Sequence, residues 1–244
     1  MVVDAGPDPT AIRGCLRDLG VRTVSAVVLT HLHADHVDGL VGVLTSVPVG
    51  EVQVSPVRTP TDTWNRVRTL AVEADVPIRT VVSGAQMSAG DIAWRVLWPP
   101  ADIDPATSDD TAAEGSPVND ASVVIAVEVH GLRVLLTGDI EPSAQEALLR
   151  AGTDLAADVL KVPHHGSARQ SAEFLEAVGA RLAVVTVGAD NDYGHPAPSL
   201  LDGLDDSGTV VARTDDDGDV AVLPPRSVGA PLTWVPRGPS GGAD

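Results

Sequence analysis

Apolar and polar positions along the chain alternate between two periods. Continuous aliphatic runs of four to seven residues mark strands, and segments with an apolar residue every third or fourth position mark helices. Residues 2–6 read as the end of a strand. Ile12, Cys15, Leu16 and Leu19 then recur at helical spacing, with Asp8 as N-cap and Gly20 as stop, predicting a helix over 10–19. The run 24–29 is a buried strand, 37–46 a helix, and 51–55 a strand with alternating apolar positions. Trp64, Val67, Ala71 and Ala74 predict a helix over 62–75, with Trp64 in the core instead of serving as a binding platform. Strands follow at 78–82 and 92–97. Residues 99–117 are rich in Asp, Pro, Ser and Thr and lack periodicity, so they form a long loop, either mobile or a lid.

In the second half, 123–127 and 132–137 flank His130-Gly131 and predict a β-hairpin with His130 in its exposed turn. A helix over 141–150, a buried strand over 158–162, a polar turn and a helix over 168–178 come next. They are followed by a strand over 181–188, a short helix over 200–204, and strands over 210–213 and 220–222 around an Asp215-Asp216-Asp217-Gly218 turn. Pro and Gly dominate from Pro224 onward, which reads as a disordered tail. The expected organisation is a single α/β domain over residues 1–223 and a tail over 224–244.

Composition narrows this picture. At 244 residues the chain can bury a full core. A formal charge of −18 argues against a broad basic surface for nucleic acid, so a polyanion would have to be drawn by bound metal and local arginines. Cys15 is the only cysteine, which rules out an internal disulfide, and Lys161 is the only lysine. No apolar run approaches the roughly 18–20 residues of a membrane span, and Met1-Val2-Val3 leads straight into Asp4 with no signal peptide. The expectation is a soluble chain, unless it was cut from something larger.

The chemistry is concentrated in Thr30-His31-Leu32-His33-Ala34-Asp35-His36. Here three imidazoles and a carboxylate lie within six residues, directly after a buried strand. Imidazole and carboxylate are ligands for zinc and comparable divalent ions, and a loop at a strand end can aim several of them at one point. His164-His165 also stand at a strand end, expected on the same sheet edge as His31 and Asp139 if the strands are parallel.

The H-x-H-x-D-H block resembles the signature of the metallo-β-lactamase-fold hydrolases. That resemblance implies a four-layer αββα sandwich, here lacking the strand pair that precedes residues 2–6 in the family. It implies two divalent metal ions, with zinc, manganese and iron all compatible with the ligand types and Zn or Mn expected. His31 and His33 would hold one ion and Asp35 and His36 the second. Asp139, in a Gly-Asp at a strand end, would be shared by both, and Asp4 would support the site from behind. His195 is the last ligand in the family's order, with His164 or His165 as the alternative.

A narrower resemblance rests on V-D-A-G-P-D, T-H-x-H-x-D-H, N-D-x-S, L-L-T-G-D, L-K-V-P-H-H-G-S, Y-G-H-P and R-T-D-x-D-G. Together they look like the soluble domain of ComEC-type competence proteins, the membrane channels that internalise DNA. The resemblance implies phosphodiester hydrolysis, DNA or a small phosphodiester as substrate, and a channel domain that this chain does not contain, with an extracytoplasmic location. Asp35 and Asp139 would orient the nucleophile, His164 or His165 would assist the phosphoryl group or the leaving oxygen, and Asn119, Ser122 and Ser167 would bind substrate. The family's third-motif histidine is missing: the only His in that interval is His130, while Asn119, Asp120 and Ser122 stand near the position. The alternatives are a small-molecule esterase or lactonase of the same fold, and an inactive domain retained for binding.

Overall fold

The structure is a computed structural model that describes residues 1–104, 117–225 and 232–237. It divides into two compact units, residues 1–85 with 96–124, and residues 86–95 with 125–244. Among the described residues no helix is long and apolar enough to cross a membrane.

The first unit carries a four-stranded parallel sheet in sequential order: β1 (Val2–Val3), β2 (Val27–Leu29), β3 (Val52–Val54) and β4 (Ile78–Thr80). Parallel neighbours need crossovers. These are supplied by α1 (Pro9–Asp18), by the short pair α2 (Ala34–Val37) and α3 (Leu40–Leu44), and by α4 (Thr61–Glu73). Asp8 caps α1 as its position suggests, accepting from the Thr10 N–H at 2.8 Å, with Pro9 opening the helix. The two central strands are buried on both faces, which is why 26–29 reads as an unbroken apolar run. The alternation expected over 51–55 is not observed: Val52, Gln53 and Val54 are all buried, and the Gln53 amide is satisfied by Glu51 at 2.6 Å. Val27, Leu29, Leu40, Val43, Val54 and Val67 form the core. Trp64 packs at its margin, with the Arg58 guanidinium 4.3 Å above its ring.

The single helix expected over 37–46 is broken in two at Asp38-Gly39. A side chain at Gly39 would place its Cβ 2.1 Å from the Ala5 carbonyl oxygen, and the Gly39 N–H donates to Gly6 at 2.7 Å. The chain after the histidine loop is therefore drawn directly against the loop after β1. Of the loop expected over 99–117, residues 105–116 lie outside the described residues, so the lid reading does too. The loop's end forms one helical turn, α5 (Pro117–Asp120).

The second unit is organised on a seven-stranded mixed sheet. Its strands are β5 (Gln86–Ala89), β6 (Ile92–Trp98), β7 (Val124–Val129), β8 (Leu132–Leu136), β9 (Val159–Lys161), β10 (Leu182–Val185) and β11 (Val210–Arg213), in the order β11-β10-β9-β8-β7-β6-β5. Strands β8 to β11 are parallel, and β7–β8 is the expected hairpin, its turn made by His130 and Gly131 at φ +48° and +78°. Strand β5 escapes a hydrophobicity reading because Gln-Met-Ser-Ala is mostly polar and half exposed. Helices α6 (Pro142–Arg150), α7 (Ala172–Val178) and α8 (Pro198–Asp206) make the crossovers. The Asp215–217 turn is one helical turn, α9 (Thr214–Asp217).

Two sequence expectations are corrected here. The region after Pro224 is not wholly a disordered tail: β13 (Thr233–Pro236) pairs antiparallel with β12 (Val220–Leu223), Val222 opposite Trp234. Val220 and Val222 present an apolar row that Trp234 and Leu232 cover around Val159, Leu182 and Ala212. Residues 226–231 and 238–244 lie outside the described residues. Nor do the histidines share one sheet edge. His31 follows β2 of the four-stranded sheet, whereas Asp139 and His164-His165 follow the parallel neighbours β8 and β9 of the seven-stranded one.

Replacing Gly39 by Ala forces backbone atoms apart, and an overpacked site of this kind loses about 1–3 kcal/mol or more. Urea unfolding of Gly39→Ala is expected to show that loss. An unchanged midpoint would contradict the close approach.

Candidate functional site

The first cluster is built at the ends of β1 and β2. Asp4 adopts φ +54°, a left-handed conformation that Asp tolerates better than most residues. Its Oδ1 accepts the Thr30 N–H at 2.7 Å, and its Oδ2 accepts the Thr30 hydroxyl at 2.8 Å and the His36 ring at Nδ1, 2.7 Å away. An ionised carboxylate only accepts, so His36 carries a proton on Nδ1, and in the neutral ring its lone pair is on Nε2. That nitrogen lies 3.5 Å from Asp35 Oδ2. This is the carboxylate–histidine arrangement that orients metal ligands from behind.

His31 Nε2 and His33 Nδ1 are 2.9 Å apart. Two nitrogens on one ion at bond lengths of 2.0–2.1 Å lie about 2.8–3.4 Å apart for angles of 90–110°, so this pair fits a shared ion. His31 Nδ1 is backed by Thr30 Oγ1 at 3.2 Å and Ser122 Oγ at 3.3 Å. His31 and His36 are buried, His33 is half-buried and Asp35 is exposed. Ser122 and Asn119 have no exposed surface, and the Val123 N–H holds their segment against Thr30 O at 2.8 Å. Ser122 thus backs His31, and neither side chain has a surface open to solvent. His130 remains in its hairpin turn.

The second cluster lies beyond β8 and β9. Asp139 is buried, and its Oδ1 accepts from Lys161 Nζ at 3.1 Å; the same ammonium donates to Gly138 O at 2.9 Å. Asp139 Oδ2 faces His165 Nε2 at 3.2 Å. His165 Nδ1 lies 2.6 Å from Thr186 O, a carbonyl that accepts only, so Nδ1 carries a proton, and in the neutral ring Nε2 is the lone-pair nitrogen. Nε2 then either donates to Asp139 Oδ2 as part of an imidazolium or, in the neutral ring, shares a cation with it. The donor chemistry of the neutral ring fits a metal ion.

His164 and His165 are both left-handed, at φ +47° and +52°, each costing about 1–2 kcal/mol. The strain directs two adjacent imidazoles to different neighbours. His165 stands with Asp139, while His164 Nδ1 lies 3.4 Å from Glu141 Oε1 and its ring is edge-on to His195, centroids 5.5 Å apart. Gly166 has no room for a side chain: a Cβ would meet Pro196 Cβ at 2.7 Å, and Gly166 O accepts the Ala197 N–H. This joins the H-H-G-S turn to the Y-G-H-P segment. His195 is further fixed by Asn191, whose amide donates to His195 O at 2.9 Å. Ser167 is fully buried and its Oγ accepts the Arg169 N–H at 3.1 Å, so it organises the turn.

Asp35, His36, Asp139 and His165 each offer an atom of metal-ligand type. Glu141, Lys161 and Arg169 carry roles that the sequence did not disclose. The one signal was that Lys161 is the sole lysine and sits directly before the H-H-G-S turn.

The fold agrees with the comparisons to known proteins. Residues 1–188 match the Metallo-beta-lactamase superfamily, and the chain belongs to it. It is similar to ComE operon protein 3 of Bacillus subtilis (strain 168), at 30% identity over 220 residues covering 89% of this chain and 27% of that protein. It is also similar to Competence protein ComA of Neisseria gonorrhoeae, at 35% identity over 102 residues, 41% of this chain and 15% of that one. The chain thus spans about a quarter or less of the length of these relatives. Zn(2+)-bound PqqB from Methylobacterium extorquens shares the fold, with a TM-score of 0.53 at 14% identity over 86% of this chain and 80% of that chain.

Substituting Asp4→Asn keeps a residue that accepts the left-handed backbone but removes the charged acceptor behind His36. Metal affinity, measured by competition with a chromophoric chelator, is expected to fall about 10–100-fold. Unchanged affinity would mean that Asp4 only ties the strands together.

Proposed function

We propose that the chain is a metal-dependent phosphodiesterase domain that acts on DNA as part of a competence protein. The observation that carries its chemistry is the pair His165 Nε2 and Asp139 Oδ2. Each is locked from behind, by Thr186 O and Lys161, and with the imidazole neutral they face each other as acceptors. The substrate assignment is supported by the similarity to ComE operon protein 3 and to Competence protein ComA.

On this reading two divalent ions, Zn or Mn, would be held by His31 and His33 for one and by Asp35 and His36 for the other, with Asp139 serving both and His165 or His195 completing the set. The tautomer of His165 favours it over His195. When bound, such ions supply Lewis acidity and acidify water. The remaining chemistry belongs to the chain. Asp35 and Asp139 orient the nucleophile. Lys161 holds Asp139 in one rotamer and balances its buried charge. His164, backed by Glu141, presents its other ring nitrogen to the phosphoryl or leaving oxygen, a contribution of typically 10²–10⁴-fold.

A small diester or ester is the second reading. It is favoured by the formal charge of −18 and by a chain with one Phe and one Tyr, which offers few platforms on which bases could stack.

Elemental analysis combined with hydrolysis of bis(p-nitrophenyl) phosphate and of single-stranded DNA, with added Mn²⁺ or Zn²⁺, tests the proposal. About two ions per chain and cleavage of both substrates, abolished by chelation and by Asp35→Ala, are expected. Cleavage of the diester alone would favour the second reading, and cleavage of neither would overturn both.

The roles of the adjacent histidines separate in the same assays. His165→Ala is expected to lose metal. His164→Ala is expected to keep it while kcat falls about 10²–10⁴-fold. Equal metal loss in both would remove the distinction.

A further inference from the structure

We propose that Arg169, held in place by the buried carboxylate of Glu141, is the residue that recognises the phosphate anion of the substrate. The inference rests on the reading of the H-H-G-S turn as part of a phosphodiester-cleaving site, and it names the residue that gives that site its substrate class.

Glu141 occupies the N-cap position of α6, where a carboxylate ordinarily accepts from the helix's first N–H groups. Here it makes no capping hydrogen bond. Its side chain turns inward, with the residue 1% exposed. Burying an ionised carboxylate is costly unless it is paired and hydrogen-bonded. The partners are Arg169 Nε, which donates to Oε2 at 2.9 Å, and His164 Nδ1, 3.4 Å from Oε1. One acid thus holds a guanidinium with one oxygen and stands beside an imidazole with the other. It lies two residues after Asp139, and Arg169 lies four after His165, so both are bound to the second cluster by short stretches of backbone.

The manner of pairing matters. Arg66, Arg133 and Arg181 engage carboxylates through terminal nitrogens, Arg213 through both Nε and a terminal nitrogen, and Arg79 through Nε on the half-buried Glu51. Arg169 is held through Nε, which uses one of its five donors, and half of its side chain is exposed. Its terminal nitrogens have no partner among the described residues. Its backbone is fixed as well, through its N–H to Ser167 Oγ at 3.1 Å. A planar guanidinium, anchored at one edge and open at the other, is pre-organised for two parallel hydrogen bonds to phosphate oxygens. A neutral ester or lactone offers no anionic oxygen pair and gains little from it. In a chain of formal charge −18 such a local donor also answers how a phosphate is admitted.

Isothermal titration calorimetry of the metal-loaded protein with inorganic phosphate tests this, with metal content measured in each sample. Arg169→Ala is expected to weaken phosphate binding about 10–100-fold at unchanged metal content, and Arg169→Lys to recover part of it. Glu141→Gln keeps the shape of the side chain and an acceptor oxygen, and is expected to weaken binding less than Arg169→Ala, with thermal unfolding and metal content unchanged. Wild-type affinity in Arg169→Ala, or loss of affinity only in proportion to lost metal, would overturn the inference, as would a wild-type protein that binds no phosphate. Arg169-dependent phosphate binding in a protein that cleaves no diester would sustain the inference and remove the phosphodiesterase reading.

Discussion

The carboxylate of Asp4 is the constraint on which the first half of the site depends. It accepts from a backbone N–H, a hydroxyl and an imidazole, all belonging to the segment that begins where β2 ends. Around it, the Asp4 N–H donates to Val28 O, the Ala5 N–H to His36 O and the Gly39 N–H to Gly6 O. The metal-type loop is therefore clamped to the end of β1 at both its ends. The left-handed backbone at Asp4 costs about 1–2 kcal/mol, which charge-assisted hydrogen bonds of this kind offset. The same atoms that hold the strand ends together also set the protonation of His36, so packing and chemistry are not separable at this position.

The second cluster uses a different device toward the same end. Two consecutive left-handed histidines could not persist on local preference. They are held by Gly166 against Pro196 and by a buried polar network under the turn. Gln145 donates to Ile140 O and Gln170 Oε1 and accepts the Ser171 N–H, while Gln170 donates to Pro163 O and Ser167 O. Such a network specifies one backbone arrangement because any alternative leaves buried polar atoms unpaired. Lys161 and Thr186 then set which atoms of Asp139 and His165 are presented.

Charge follows the same economy. In a strongly acidic chain most of the described arginines are tied to carboxylates, and these ties lie at strand and helix ends. Arg133 joins β8 to Asp154, Arg181 joins the start of β10 to Asp158, and Arg213 joins β11 to Asp215. Exposed pairs of this kind contribute little stability. Arg169 differs from them in that the acid holding it is fully buried, at 1% exposure.

The sequence by itself determined most of the elements and the candidate ligands. Apolar runs located the central strands, Asp8 and Gly20 bounded α1, and H-x-H-x-D-H was legible because its ligands are contiguous and one loop delivers them. It also pointed to Asp4, Asp139 and the paired histidines. Only the tertiary structure decided which histidine of the pair faces Asp139, that Glu141 turns away from its helix to hold Arg169, that Gly39 breaks the helix after the loop, and that Trp234 belongs to a strand. The division has a physical reason. Periodicity and capping act over a few residues and are written locally, whereas the partner of a buried acid or the cover of an apolar row is set by strand order and register across tens of residues, and no local pattern encodes them.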